Sequence, residues 1–323
     1  MLKCWKDNER KMHFMKITTV TLNPAFDLHC YAEAFLPYHE NVFEITARDA
    51  GGKGINVSRA LTQNGVENVA VCIVGRENGE EFLKMLEKEG ICTAAVFVEG
   101  RIRENITLHE KEKSETRISF PGFSCVSEVL SEVRKAIGEI AAGDICVFSG
   151  SVPSGIPEAA IVTFLAECKA AGASLVIDSK SLSLASLSAL QPLLIKPNEE
   201  EAAHALGIAI DSIETAANAA KALQEKGIEN VLLSLGGDGA ILAAKSGTYY
   251  ASAPKIAVRS TIGAGDSTIA GFLSALSEGL DSGEMLARAV AFGSAACERE
   301  GTAPPLPEDV CRLMKNIVVK GIN

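Results

Sequence analysis

The chain has 323 residues and a formal charge of −10, from 31 lysines and arginines against 41 aspartates and glutamates. Apolar residues make up 47% of it and charged ones 22%, a globular balance that excludes a largely disordered chain. The negative mean field argues against general binding to nucleic acid or to a membrane surface, so any anionic ligand must be held by a few local cations.

Met1–Phe14 is rich in charge and lacks the apolar core of a secretory signal. It reads as a disordered extension, with Met15 as a candidate start. From there short β-branched runs alternate with segments of 3.6-residue spacing. Strand Ile17–Leu22 precedes a helix over Ile55–Asn64, and strand Val69–Ile73 precedes a helix over Gly79–Glu89. A helix opened by Ser127 places Val126, Val129, Leu130, Val133, Ile137 and Ile140 on one face. Strand Ile145–Ser149 leads into a helix over Ala159–Ala171, followed by strands Leu175–Asp178 and Leu193–Lys196. A helix over Ile213–Lys226 precedes strand Val231–Ser234, and helices Ala264–Ser277 and Ser282–Cys297 close the pattern. Such alternation predicts one α/β/α domain over residues 15–323, with a mainly parallel sheet covered on both faces. Ligands of such sheets bind beyond the C-terminal strand ends.

Two regions break the rhythm. Residues 28–47 and 94–120 hold extended, half-polar segments and no helix. They are ordinary surface hairpins or, on a sharper reading, two insertions that form a small β-sheet lid. Nine cysteines are scattered from Cys4 to Cys311 without a C-x-x-C pair, which fits neither a disulfide framework nor a zinc site and points to reduced thiols in the cytoplasm. No apolar run approaches the roughly 20 residues that span a bilayer.

Four glycine- or proline-marked turns could carry chemistry. Thr261-Ile262-Gly263-Ala264-Gly265-Asp266-Ser267 runs into an apolar helix, so unpaired N–H groups and the positive end of the helix dipole converge on an anion site. Asp266 is there either a helix cap or a general base that accepts a proton from an attacking hydroxyl. Gly51-Gly52-Lys53-Gly54-Ile55-Asn56 also enters a helix, without the spacing of a Walker loop. It is a plain glycine turn with an exposed lysine, or a ligand cradle. In Lys196-Pro197-Asn198-Glu199-Glu200-Glu201 every residue suits a strand end and a helix start, and Asn198 with Glu201 could also offer oxygens to hydrated Mg²⁺. Ser234-Leu235-Gly236-Gly237-Asp238-Gly239 is a hairpin turn or a bed for a nucleotide. All but the Lys53 segment follow predicted strands. Together they supply what phosphoryl transfer needs.

The Gly51–Val57 and Thr261–Asp266 segments resemble the two signatures of the ribokinase/PfkB carbohydrate kinase family, and Asn198–Glu201 resembles its asparagine-x-x-glutamate element. Asn23-Pro24-Ala25-Phe26-Asp27, Arg103 with Asn105, Phe120-Pro121-Gly122 and Ser149-Gly150-Ser151-Val152-Pro153 look like its 1-phosphofructokinase and tagatose-6-phosphate kinase branch. Ser260 stands where many members carry an Asp implied to contribute to a monovalent-cation site. The resemblance implies a ribokinase-like fold and transfer from ATP, with Mg²⁺, to a ketohexose phosphate. The expected reaction turns fructose 1-phosphate into fructose 1,6-bisphosphate, with tagatose 6-phosphate as rival substrate. An unphosphorylated sugar or nucleoside, or a non-catalytic sugar-phosphate sensor, is more remote. Asp266 would be the base, and the N–H groups of Gly263, Ala264 and Gly265 the anion hole. Asp27, Gly52, Asn56 and Asn105 would line the sugar pocket, with Lys53 and Arg103 on the sugar's phosphate. Lys196, Ser234, Gly236 and Gly239 would face ATP, and Asn198 and Glu201 would hold Mg²⁺ through water. By analogy the lid would pair between subunits in a homodimer.

Overall fold

The computed structural model describes residues 15–111 and 115–322, so the predicted extension lies outside the described residues. The strands in chain order are β1 (Ile17–Thr21), β2 (Ala25–Ala32), β3 (Glu44–Gly51), β4 (Asn68–Gly75) and β5 (Thr93–Val98). Then come β6 (Arg103–Glu110), β7 (Thr116–Ser119), β8 (Ile145–Ser149), β9 (Ser174–Asp178) and β10 (Leu194–Ile195). The last four are β11 (Asn230–Ser234), β12 (Ala240–Ala244), β13 (Gly247–Ala251) and β14 (Val319–Ile322).

Ten of these form one sheet in the order β14-β13-β12-β11-β10-β9-β8-β1-β4-β5. From β11 to β5 every pairing is parallel, and β12, β13 and β14 add antiparallel strands at one side. The central strands β1 and β8 are buried along their whole length because both faces are covered. In β8, Ile145 and Val147 enter one core cluster while Cys146 and Phe148 enter the other. Helices α1 (Lys53–Gln63), α8 (Ala264–Ser277) and α9 (Ser282–Cys297) supply the first of these layers through Val57, Leu61, Ile269 and Phe292. The opposite layer is filled by α2 (Gly79–Lys88), α3 (Val129–Ile137), α4 (Glu158–Ala170), α6 (Glu199–Leu206) and α7 (Ile213–Gln224). Two short helices, α5 (Leu184–Leu190) and α10 (Pro307–Met314), complete the set.

The helix predicted to open at Ser127 begins instead at Val129, and its side chain does not cap it. Val126 is exposed and Ile140 lies past the helix, so the apolar face is shorter than the spacing suggested.

A second sheet of four strands, β3-β2-β6-β7, stands over the C-terminal ends of the first. It is drawn from two segments, 25–51 and 103–119. The second segment begins later than expected, because Thr93–Val98 is the edge strand of the main sheet, parallel to β4. Register decides which side chains of the small sheet face the cleft. Asp27 pairs with Asn105 and Asp49, and Asn105 pairs with Ser119. Directly paired residues share a face. The other face carries a small apolar cluster of Cys30, Ala32 and Leu108 under Phe35 and Phe43.

Candidate active site

Between the two sheets lies a cavity of about 680 Å³. The ends of β1, β8, β9 and β10 open into it through Asn23, Gly150, Asp178 and Lys196, and the N-termini of α1 and α8 point at it. A cavity of about 750 Å³ adjoins it beside α5 and α6, sharing Asp178, Lys180, Lys196 and Glu201. Asp27, Lys53, Arg103 and Asp266 line the first and not the second, so the chemistry belongs to the first.

At α8 the N-cap is Gly263, in the left-handed region at φ 75°, and no side chain caps the helix. Gly263 and Gly265 line the cavity, whereas Ala264 stands back and its N–H leans toward Thr261 O at 3.4 Å. The expected three-residue anion hole therefore has two residues on the wall. Gly265 leaves room for Lys196, since a Cβ there would sit 3.0 Å from Lys196 Nζ.

Asp266 is only 6% exposed. Its Oδ2 accepts a 2.9 Å hydrogen bond from Asn56 Nδ2. Burial, and then the like charge of Asp178, push its carboxyl up to about 6, against the pull of Lys53, Asn56 and Lys196. A cap reading for Asp266 fails on geometry: it lies within the first turn rather than at the N-cap, and its oxygen is bonded to Asn56. Asn56 is oriented in turn by Arg59, whose guanidinium reaches Asn56 Oδ1 at 2.8 Å, Ala50 O and the Glu89 carboxylate. This supporting chain from Glu89 to Asp266 has no signature in the sequence.

Lys53 Nζ donates to Asp178 Oδ2 at 2.9 Å, and Lys196 Nζ lies 4.0 Å from Asp178 Oδ1. Burial alone would lower the Lys53 ammonium, but the charges of Asp178, Asp266 and Glu201 outweigh it and hold it above the usual range. Asp178 thus gathers both lysines, and nothing in its surroundings in the sequence singled it out. The Lys53 turn does follow a strand, β3, which the sequence had not revealed.

On the small sheet Asp27 Oδ1 accepts from Asn105 Nδ2 at 2.9 Å. Burial raises the Asp27 carboxyl, with Asn105 and Arg117 opposing. Gly51 is needed beside it, because a Cβ there would fall 1.9 Å from Asp27 Oδ2. Gly52 also lines the cavity. Arg103 donates to Phe120 O, Asn23 O and Ser151 Oγ at 3.1–3.3 Å, tying three loops together. Thr21 Oγ1, Asn23 Oδ1, Arg103 Nε and Asn105 Oδ1 are buried without a partner among the described residues, and all four residues line the cavity. Orphaned polar atoms are costly, and their clustering marks a wall shaped for a polar ligand.

Asn198 and Glu201 form a capping box on α6. Asn198 Oδ1 accepts the Glu201 N–H at 2.8 Å and Glu201 Oε2 accepts the Asn198 N–H at 3.1 Å. Both also line the cavity, and Glu201 Oε1 remains outside the cap, 3.3 Å from Lys180 Nζ. Ser234 abuts Asn198, its N–H donating to Pro197 O at 3.0 Å. Gly236 and Gly239, at φ 54° and 110°, form the turn after β11 and do not reach the cavity wall. Ser260, the departure from the family pattern, is buried, and its Oγ accepts the Ile262 N–H at 3.2 Å.

Residues 24–309 match the pfkB family carbohydrate kinase family. The 1-phosphofructokinase of Bacillus subtilis is 36% identical over 284 residues, covering 88% of this chain and 93% of that one. The chain belongs to the pfkB carbohydrate kinases. The 1-phosphofructokinase of Escherichia coli K12 is 31% identical, covering 80% of this pfkB chain and 83% of its own length. Among solved structures, phosphofructokinase-2 from Escherichia coli in complex with fructose-6-phosphate superposes with a TM-score of 0.86 at 26% identity, over 94% of this chain and 99% of that one. The pfkB kinases thus share the main sheet and the smaller one above it. No helix among the described residues is long and apolar enough to cross a membrane.

Proposed function

We propose that this kinase transfers the γ-phosphoryl group of ATP to a ketohexose phosphate, making fructose 1,6-bisphosphate from fructose 1-phosphate. The observation that carries the reading is Asp266, buried, held by Asn56 and raised to about 6, at an uncapped helix N-terminus. The sugar hydroxyl gives its proton to Asp266 as its oxygen bonds to the γ-phosphorus, and the bond from that phosphorus to the ADP oxygen breaks. The N–H groups of Gly263 and Gly265 face the charge that develops on the transferring group. Asp27 and Asn105 take the other hydroxyls, and Arg103 Nε points to the phosphate already present.

Lys196 and Ser234 lie on the ATP side, with the turn of Gly236 and Gly239 behind them. Mg²⁺ suits the donor set. Among the described residues no three His, Cys, Asp or Glu side chains gather into a metal cage. Mg²⁺ rarely takes such cages and prefers one or two carboxylates, water and substrate phosphates. Glu201 would hold it through water, its carboxylate fixed by Asn198, and when bound it neutralises charge on the phosphates of ATP.

The small sheet acts as the lid that excludes water from the sugar. Leu36, Tyr38, Val42 and Ile45 are exposed on or beside it, which supports a homodimer through this sheet. Initial rates with ATP and Mg²⁺ test the whole reading, against fructose 1-phosphate, tagatose 6-phosphate, fructose 6-phosphate and free hexoses. The highest kcat/KM is expected for fructose 1-phosphate. Equal or faster turnover of a free hexose would overturn the assignment.

A further inference from the structure

We propose that Arg117, on the edge strand of the small sheet, is the side chain that makes this site select a phosphorylated sugar over its unphosphorylated form. The inference rests on the kinase reading above and adds a specificity residue that neither motif contains.

The register of the small sheet places it. Thr107 pairs with Arg117 and Asn105 with Ser119, and Asn105 in turn pairs with Asp27. Side chains two apart on a strand share a face. Arg117 therefore stands on the face that carries Asp27, Asn105 and Ser119, and it lines the same cavity. Its charge is felt at the Asp27 carboxyl.

The other cations near this end are committed to the protein. Lys53 is paired with Asp178 at 2.9 Å. Three of the five N–H donors of Arg103 are held by Phe120 O, Asn23 O and Ser151 Oγ. Arg117 has no hydrogen-bond or ion-pair partner among the described residues, and its side chain is exposed at the cavity mouth. A phosphate dianion needs more than the remaining donors of Arg103, and a planar guanidinium with all its donors free can grip it with two parallel bonds. A sugar held between Asp266 and Asp27 would have its non-reacting end along the face of the small sheet that carries Arg117.

The experiment measures kcat/KM for fructose 1-phosphate and for fructose in wild type, Arg117→Ala and Arg117→Lys, with the KM for ATP. Arg117→Ala should lower kcat/KM for fructose 1-phosphate by about 10- to 100-fold, the scale of losing a charge-assisted pair. The values for fructose and the KM for ATP should stay within about threefold, a change too small to correspond to a lost charge-assisted bond. Arg117→Lys should recover part of the loss, because it keeps the charge and loses the fork. A merely structural role would lower all three substrates' parameters together, which would overturn the inference. So would an unchanged KM for fructose 1-phosphate, and in that case wild-type activity on the phosphosugar would leave the kinase assignment standing. A wild-type protein that phosphorylates fructose as well as fructose 1-phosphate would overturn both.

Discussion

Two consecutive helices, α8 and α9, pack against one another and begin in opposite ways. α9 starts at Asp281, whose carboxylate accepts the Glu284 N–H at 2.9 Å while Glu284 returns a bond to the Asp281 N–H. That capping box satisfies two of the orphan donors of the first turn. α8 starts at Gly263 with no side-chain cap and buries a carboxylate in its first turn instead. Other helices of the chain also lack a side-chain cap, but at α8 the open N-terminus lies on the cavity wall beside a buried carboxylate, where the proposed reaction needs donors. α6 lies between the extremes: its capping box is complete, yet it borders the cleft through the same two residues.

The contrast can be broken at several points. Asp266→Asn should reduce turnover by about 10³- to 10⁴-fold, the upper range for a general base. Its ATP affinity, measured by calorimetry, should stay close to wild type; a mutant of near-normal rate would return Asp266 to a structural role. The same carboxyl should set the pH profile. As it must be ionised to accept a proton, log kcat/KM should fall by about one per pH unit below about 6 and level off above.

Stability should move the other way. Because the folded-state value of about 6 lies above the ordinary 3.8, the contribution of Asp266 to stability is fully present below pH 3.8 and is lost as pH rises through 6. At pH 8 Asp266→Asn should therefore be more stable than wild type, by up to about 3 kcal/mol in denaturant unfolding, and the gain should vanish in acid. Asp281→Ala should show the reverse: a loss of about 1 kcal/mol with kcat and KM unchanged. Asn198→Ala should combine a loss of that size with a raised KM for ATP, which would place α6 in both classes.

Much of this was legible in the sequence, for a physical reason in each case. The bounds of α8 and α9 fall where the periodicity put them, because apolar spacing and turn residues agree there. The clustering of Asp27, Gly52, Lys53, Asn56, Arg103, Asn105 and Asp266 at one cavity follows from two glycine turns and strand ends. Asp178 was hidden because it is the polar residue that ends an apolar strand, as many strands do; the pairing of β9 with β10 brings Lys196 near it, and the start of α1 brings Lys53. Arg59 was hidden as a charge in a helix, where solvation is the ordinary expectation, yet this one is buried. Thr93–Val98 misled because an edge strand has half its surface in water, and its pattern resembles that of an insertion.

The small sheet is not a single loop. The chain enters it at Asn23–Ala25, leaves after Gly51, returns at Arg103 and departs again beyond Ser119, and Asn78 pins the return by bonding both the N–H and the carbonyl of Ile102. A plate moored to its base by four covalent lines along one margin can tilt but cannot slide. A tilt would move Asp27, Asn105 and Arg117, which share one face of the sheet, as one row, so in the proposed reaction the hydroxyls and the distal anion of an acceptor would be grasped in the same stroke. In the proposed kinase the opposite bank, with Lys196 and Glu201, would be independent of that stroke, so the nucleotide could dock there before or after it.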